Sequence, residues 1–550
     1  MLYSFRADDA ICAGHDPLAA GAGVPACTVA LRPGDLARPG WAGHDGALVA
    51  AGAAPPAGSG EMLVFCHPVT CAPAAVRRSG EVQAAGWLPD HVRLGVLEQH
   101  LGEGVIEDLV AASGRAGPHQ RRRVMSLPLT ARLVLAMTLM PDACYREAMA
   151  RLAGLLAQVP WRQRWQVPSS KVITSWRRRL GAQVMEELFW RAAGPVTSPG
   201  RGAGRWRGLE LCAIDGFQVR LPATPANREA FGSPGTADDS APFPQLRAVV
   251  ATARAGRAML GAAMDASTAG EQTLTARMAD EHPGVFCPGR CFLVDRNFLG
   301  HELITAIAAR GAHLVMRVKQ GISLHHVRWL PDGSQLAYLN APDRRSVLMV
   351  RVVEYNVEAA GRDEVSELFC LATTLLDYRA YPAREICDAY PQRWSASETT
   401  IGENKTTITD AGPSRGPILR SREPELARQE FWAWLTAAQL VRKASGTAAG
   451  RAADPVHSDQ VSFTAMRHEA ARSLTQTLVT AATSVDALTA AAATAARSAL
   501  SALITTGRGR YRERRRKHEP AFPHTSRTIP AIAGPATIAL FRPASTPDTS

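Results

Sequence analysis

The sequence predicts a mixed α/β protein, in which a sheet covered by helices follows an all-helical domain. Three observations lead to this fold class. Apolar residues recur at helical intervals over residues 88–182. Over residues 205–320, runs typical of strands alternate with runs typical of helices. A second strand-rich stretch at about 321–375 is interpreted as a β insertion into a core that spans residues 205–445.

The helical domain is predicted from three segments. DHVRLGVLEQHLGEGVIEDLVAASGR carries apolar residues three and four positions apart. SLPLTARLVLAMTLMPDACYREAMARLAGLL predicts two more helices, which are separated at Met140-Pro141 because proline interrupts a helix. In SKVITSWRRRLG, Ser169 or Ser170 can cap a short helix that Gly181 ends.

Basic residues concentrate at the end of that last helix. Six of them, and no acid, lie between Trp161 and Leu180. A helix ending in Arg177, Arg178 and Arg179 can lie along phosphates or enter a groove of DNA, and we interpret these arginines as DNA-binding residues. The alternative is a solvated helix C-terminus, where cations interact favourably with the helix dipole.

Charge and composition favour a polyanionic partner. The formal net charge is +12 and the pI is about 9.5, and basic surfaces release counterions from nucleic acid. Ten scattered cysteines form no paired C-x-x-C pattern, which argues against a zinc site and against a disulfide framework. Because no apolar run reaches about 18 residues and the N-terminus lacks a signal pattern, we expect no membrane span and a cytoplasmic location.

The two ends of the chain differ from its centre. Residues 1–87 form an Ala-, Gly- and Pro-rich leader, predicted to be loosely ordered with short strands near Met62–Phe65. The C-terminal segment is predicted to span residues 446–550. A linker is predicted at 445–456, and an Ala-rich helix is predicted to follow it up to about Leu503. The basic run RGRYRERRRKH is either a DNA-binding arm or a solubilising segment, and the last ~30 residues are predicted to be disordered.

Two aspartates stand where chemistry is expected. Asp215 ends the apolar run LELCAID, and Asp295 follows the buried strand of CFLVDRNF. An acid in such a context costs free energy unless it is paired or binds a metal, and sites are commonly built at strand ends. The alternative is a pair of ordinary turn-forming or capping aspartates.

A third acidic residue lies on a predicted helical stretch, YPQRWSASETTIGENK. Glu398 and Lys405 are seven residues apart, so both project from one helix face. A carboxylate there can complete a metal site while Lys405 and Arg393 grip phosphates. The alternative is a surface helix of mixed charge.

Together these blocks resemble a known family. AIDGFQVRLPATPANREAFG, CFLVDRNFLGHELITAIAARGAHLVMRVK and YPQRWSASETTIGENKTTI are similar to the three catalytic blocks of the DDE transposases of the insertion-sequence-4 family. That family comprises bacterial cut-and-paste elements whose enzymes have an RNase H-like core. The last block resembles the family signature Y-x2-R-x3-E-x6-K, which maps to Tyr390, Arg393, Glu398 and Lys405. The resemblance covers roughly residues 88–445.

The resemblance implies a catalytic site and its partners. Asp215, Asp295 and Glu398 would be the catalytic residues and would hold two Mg²⁺, for which Mn²⁺ can substitute. The substrates would be the terminal inverted repeats of an insertion sequence and a target DNA. Tyr390, Arg393 and Lys405 would position the element's end, and a homodimer would assemble on DNA.

The third block also departs from the family pattern. Four residues, not three, separate Arg393 from Glu398, which rotates the arginine unless a non-helical start near Trp394-Ser395 absorbs the extra residue. Glu403 is the alternative third acid, although it lacks the six-residue spacing to a lysine. Trp394 either stacks on a displaced base or belongs to the core.

Two other functions share these features. A metal-dependent nuclease would use the same acids without strand transfer. A decayed or domesticated copy would bind repeats without cutting them.

Overall fold

The chain divides into two units, Met1–Ala84 and Ala85–Ser550. The computed structural model describes residues 28–31, 62–65, 92–115, 125–153, 165–196, 205–233, 243–319, 321–359, 368–403, 418–481, 485–504 and 536–540. In the first unit, strands β1 (Thr28–Leu31) and β2 (Met62–Phe65) pair antiparallel, so the strand predicted at MLVF is confirmed. The predicted basic arm lies outside the described residues.

The second unit begins with helices. A short 3₁₀ helix (Gly95–His100) precedes α1 (Val105–Ala112), α2 (Leu127–Leu139), α3 (Tyr145–Ala153), α4 (Ser170–Leu180) and α5 (Gln183–Ala192). The Ser169 hydroxyl caps α4 by accepting from the Val172 N–H at 3.4 Å, and Gly181 ends it with a φ of 73°. The predicted break between α2 and α3 and the predicted cap of α4 are therefore confirmed.

A mixed sheet forms the core of this unit. Its first strands are β3 (Arg205–Trp206), β4 (Leu209–Arg220), β5 (Gln245–Ala253), β6 (Met259–Ala266), β7 (Arg290–Val294) and β8 (His313–Arg317). Their order is β6-β5-β4-β7-β8; β4, β7 and β8 run parallel, whereas β5 and β6 are antiparallel to their neighbours. Helices α6 (Pro225–Phe231), α7 (Glu271–Glu281) and α8 (His301–Ala309) connect these strands. This is the arrangement of an RNase H-like core, as predicted.

The predicted β insertion extends this sheet. Strands β9 (Leu324–Trp329), β10 (Gln335–Asn340), β11 (Val347–Ala359) and β12 (Phe369–Thr373) continue it beyond β8, in the order β8-β12-β11-β10-β9. Strand β13 (Ala536–Leu540) pairs with β11. The prediction that the last ~30 residues are disordered is thus wrong for this segment, because it pairs with the part of β11 that extends beyond β12.

The remaining helices are α9 (Ala383–Ala389), α10 (Thr399–Glu403), α11 (Pro424–Gly450), α12 (Phe463–Ala481) and α13 (Val485–Leu500). The linker predicted at 445–456 begins later than expected, since α11 continues to Gly450 with its small residues Ser445, Gly446 and Ala448 buried. The single Ala-rich helix predicted up to Leu503 is two helices. Residues of the N-terminal helices and of α11–α13 share one hydrophobic core. The domain boundaries given in the sequence analysis therefore remain predictions.

None of the helices in the described ranges combines the length and the hydrophobicity needed to cross a bilayer.

Candidate active site

The register of two parallel strands brings the two predicted aspartates together. Strand β4 pairs with β7 so that Ile214 lies opposite Val294. Asp215 directly follows Ile214, and Asp295 directly follows Val294. Because neighbouring strands lie about 5 Å apart, the two aspartates are side by side. Asp215 is not at a strand end as predicted, because β4 continues to Arg220 along β5.

Each aspartate is oriented by nearby hydrogen-bonding or charged groups. One oxygen of Asp215 accepts from the Gly216 N–H at 2.9 Å, and the other lies 3.9 Å from a guanidinium nitrogen of Arg393. Arg393 is only 5% exposed, so its charge acts on Asp215 with little screening by water. Asp295 caps a one-turn 3₁₀ helix by accepting from the Asn297 N–H at 2.6 Å. Both carboxylates therefore have defined positions.

Tyr390 supports the strand that carries Asp295. Its buried hydroxyl donates to the Val294 carbonyl at 3.1 Å. Burial raises the pKa of Tyr390 above its ordinary value, which keeps the hydroxyl protonated and able to donate. In this structure the Tyr390 hydroxyl is therefore used within the protein and is not exposed for a direct DNA contact.

A π-helical turn accommodates the extra residue in the third block. Residues Trp394–Glu398 form one π-helical turn between the short 3₁₀ helix Tyr390–Gln392 and α10. In an α-helix, a residue five positions after Arg393 would be rotated by about 140° from it. A π turn holds more residues than an α turn because its hydrogen bonds run from residue i to residue i+5, so position 398 is rotated less from position 393 than it would be in an α-helix. The extra residue is thus absorbed by a wider helical turn and not by a non-helical start near Trp394-Ser395.

This turn is fixed over the strand that holds Asp215. The Thr252 hydroxyl on β5 donates to the Ala396 carbonyl at 3.1 Å, and the Thr400 hydroxyl donates to the same carbonyl at 2.7 Å. Ala396 and Thr400 are both buried. The backbone on either side of Glu398 is thereby held against β4 and β5. The Glu398 side chain and Lys405 lie outside the described residues.

Glu403, the alternative third acid, has a structural position. Its carboxylate forms ion pairs with Arg257, at 2.6 Å, and with Arg442. Both arginines are buried, so Glu403 compensates charges that cannot reach water. We therefore discard Glu403 as a metal ligand.

The three arginines of α4 do not share one role. Arg177 is fully buried and donates to Gln429 at 2.9 Å, to Tyr145 at 2.7 Å and to Ser421 at 3.0 Å. Its predicted contact with DNA is wrong, because the side chain joins α4 to α11 inside the protein.

Arg178 and Arg179 are exposed. Arg178 pairs with Glu423 at 2.5 Å, and Arg179 lies over the Trp176 ring at 4.7 Å. These two remain available as DNA-binding residues.

Trp394 lies at the surface of the site. It is 44% exposed, which excludes the alternative of a core tryptophan, and the Arg393 guanidinium lies 4.9 Å from the centre of its ring. The π turn thus places an aromatic surface beside the acidic site.

A further acid was missed by the sequence argument. Glu271, the first residue of α7, is half-buried. Burial raises its pKa; Arg247 opposes this shift, whereas the charges of Asp215 and Asp295 add to it. Negative charge therefore accumulates beside Asp215 in β4 and at the end of β7, which suits divalent cations with a preference for carboxylate oxygens. Within the described ranges, no three acidic, His or Cys side chains already form a chelating group.

Comparisons with known proteins agree with this geometry. The family described as "Insertion element 4 transposase N-terminal" matches residues 91–190, and the family described as "Transposase DDE domain" matches residues 206–437. The chain is 26% identical over 349 residues to the transposase InsG of insertion sequence element IS4 from Escherichia coli K12, which covers 63% of this chain and 75% of that protein.

A solved piggyBac transposase synaptic complex with hairpin DNA has a TM-score of 0.35 and 8% identity, over 76% of this chain and 86% of that one. The order of the strands in the sheet, and not the likeness to this structure, identifies the fold. One family region matches the N-terminal helices, and the other contains the two paired aspartates. The chain therefore belongs to the DDE transposases of the insertion-sequence-4 family, enzymes that cleave DNA and transfer its strands with divalent cations.

Proposed function

We propose that this chain moves an insertion sequence by cut-and-paste transposition. It cuts at the element's terminal inverted repeats and joins the freed ends to a target DNA. The observation that carries this proposal is the β4–β7 register, which sets Asp215 beside Asp295 under the π turn that carries Glu398.

Asp215, Asp295 and Glu398 are proposed to hold two Mg²⁺ ions, for which Mn²⁺ can substitute. Such ions supply an activated water for cleavage and an activated 3′-hydroxyl for joining. The protein's part is to keep the carboxylates in place. Asp215 is set by the strand pairing and by Arg393, and Asp295 by its cap on the 3₁₀ turn.

The third block is proposed to position the end of the element. Tyr390 does so indirectly, since its hydroxyl holds the Val294 carbonyl next to Asp295. Trp394 offers an exposed ring on which a displaced base can stack. Lys405 binds the terminal phosphates, whereas Arg393, which is buried and paired with Asp215, acts by holding that carboxylate.

The remaining DNA contacts are proposed for the helical region and the basic run. Arg178 and Arg179 bind phosphates on α4, after Arg178 leaves Glu423. The 88–182 region and the basic run from Arg508 to Lys517 read the terminal repeats. Because two ends must meet before joining, the active species is a homodimer on DNA, working in the cytoplasm at the nucleoid.

The test uses a supercoiled donor plasmid carrying the inverted repeats that flank the gene. Full-length wild-type protein is expected to release the element with Mg²⁺ and to join it to a target plasmid. Asp215→Asn, Asp295→Asn and Glu398→Gln should each lower cleavage by about 10³-fold or more. Asp280→Asn is the control, because Asp280 is an exposed acid that pairs with Arg310 on the surface.

Two outcomes would replace the proposal. Cleavage without joining would indicate a nuclease without strand transfer. Binding of the repeats without cleavage would indicate a domesticated DNA-binding protein.

A further inference from the structure

The first turn of α7 is packed against the loop that follows Asp295. The Gln272 side chain donates to the Asn297 carbonyl at 2.7 Å. A Cβ added at Gly300 would lie 2.2 Å from the Gln272 amide oxygen, so this loop passes close to the helix. The start of α7 is therefore attached to the segment that carries one of the two aspartates.

The same turn is packed against the other aspartate's strand. A Cβ added at Gly216 would lie 2.3 Å from a carboxylate oxygen of Glu271 and 2.5 Å from its Cδ. The Glu271 carboxylate thus occupies the space that any other side chain at position 216 would fill. It lies against the backbone of the residue that follows Asp215.

An acid in the first turn of a helix has an ordinary explanation, which is interaction with the helix dipole. Two facts argue for more than this at Glu271. Among the described residues it forms no ion pair, although Arg247 is near enough to affect it electrostatically. It is also half-buried within electrostatic range of Asp215 and Asp295, where a third negative charge destabilises the cation-free protein.

We propose that Glu271 is a fourth acidic residue of the cation site, contributing its charge and accepting hydrogen bonds from the cations' water. This inference rests on the proposed use of divalent cations by Asp215 and Asp295. Mg²⁺ usually keeps several waters in proteins, so a carboxylate can act on it without direct coordination.

The test is calorimetric titration of full-length protein with Mg²⁺ in the absence of DNA. Glu271→Gln should weaken Mg²⁺ binding about tenfold, as expected for the loss of one nearby charge. Glu281→Gln is the matched control, because Glu281 ends the same helix about 15 Å away and should bind Mg²⁺ like the wild type. Asp215→Asn and Asp295→Asn should weaken binding more than Glu271→Gln.

A second variant moves Glu271 without removing an acid. In Gly216→Ala the new methyl group displaces the carboxylate, which is the flexible end of its side chain. Mg²⁺ binding should weaken in this variant as well.

Thermal unfolding separates the proposed role from a simple interaction with the helix dipole. Without Mg²⁺, Glu271→Gln should raise the melting temperature, because it removes repulsion from Asp215 and Asp295. With Mg²⁺, the same variant should gain less stability than the wild type gains. If Glu271 only interacts with the helix dipole, its loss would lower the melting temperature under both conditions, and this result would overturn the inference.

The outcomes also separate this inference from the proposed function. If the two aspartate variants lose Mg²⁺ binding while Glu271→Gln and Gly216→Ala keep it, only the role of Glu271 is wrong. If none of the acidic variants changes Mg²⁺ binding, the proposed cation site itself is wrong.

Discussion

At the scale of single residues, the sequence was enough to predict Asp215 and Asp295 as site residues, because each follows a run of apolar residues. Such a run predicts a buried strand, and an acid beside it predicts a site. Glu271 carried no comparable signal. A glutamate in the first turn of a helix is common for electrostatic reasons, and only the fold shows that it lies against Gly216.

Arg177 shows how a charged residue can mislead. It was grouped with its two neighbours as a DNA contact. Yet Ile173, Arg177 and Leu180 follow each other at intervals of four and three, and all three are buried. The helical period therefore places Arg177 on the apolar face of α4, and Arg178 and Arg179 on the exposed side.

Replacing Tyr390 by phenylalanine tests whether this tyrosine acts through Asp295 or through DNA. Tyr390→Phe loses the hydrogen bond to the Val294 carbonyl, so the free energy of unfolding should fall by about 1 kcal/mol. Cleavage of the donor plasmid should fall several-fold. Affinity for the terminal repeats, measured by gel shift, should not change; a clear loss of affinity would instead assign Tyr390 to the phosphates.

At the scale of elements, the π turn at Trp394–Glu398 explains a departure that the sequence could identify but not resolve. The sequence shows one residue more than the family spacing between Arg393 and Glu398. Whether it unwinds the helix or widens one turn depends on how Ala396 packs against β5, which is a long-range contact.

Deleting Ser395 tests this explanation. The deletion restores the family spacing and should convert the π turn into an α turn, with Arg393 and Glu398 still in phase. Cleavage should stay within about tenfold of the wild type, since the helical phase is conserved. Inserting an alanine after Ser395 should break the phase and abolish cleavage. Equal loss in both variants would contradict the role given to the π turn.

The ion pairs of Glu403 predict a purely structural effect at the end of α10. Glu403→Gln removes the carboxylate that pairs with the buried guanidiniums of Arg257 and Arg442, which should cost about 3 kcal/mol of stability. Urea denaturation measures this loss, with the exposed Glu302→Gln as control. Mg²⁺ binding should remain unchanged, and a large loss of it would restore Glu403 as a ligand.

At the scale of the whole molecule, the sequence predicted the class of fold and the presence of an insertion. It could not predict that β12 pairs with β8, or that β13 crosses from the far end of the chain to β11. Such pairings depend on which strand edge is open, and the composition of a segment does not record this. The shared core of the N-terminal helices with α11 was hidden for the same reason.

His100, at the end of the first 3₁₀ helix, predicts how the stability of the second unit depends on pH. Burial, followed by the charges of Lys443 on α11 and of Arg451, lowers the pKa of His100 from 6.5 to about 4. The unfolded chain therefore binds a proton that the folded chain rejects between these two values. The contribution of neutral His100 to the free energy of unfolding is fully present above pH 6.5, and it should fall by about 3 kcal/mol as the pH drops to 4.

Urea denaturation between pH 7 and pH 4 measures this dependence. In His100→Gln the part of the slope due to His100 should disappear. An unchanged slope would show that other groups cause the loss of stability in acid.

The most direct test of the central claim is a map of the cation site on the polypeptide itself. Fe²⁺ replaces Mg²⁺ in the full-length protein, and ascorbate with peroxide then generates radicals that cut the backbone near the bound ions. We expect cuts next to Asp215, Asp295 and Glu398, all suppressed by excess Mg²⁺ and all lost in Asp215→Asn. Cuts confined to other positions, or cuts at the two aspartates with none near Glu398, would contradict a site shared by these three acids.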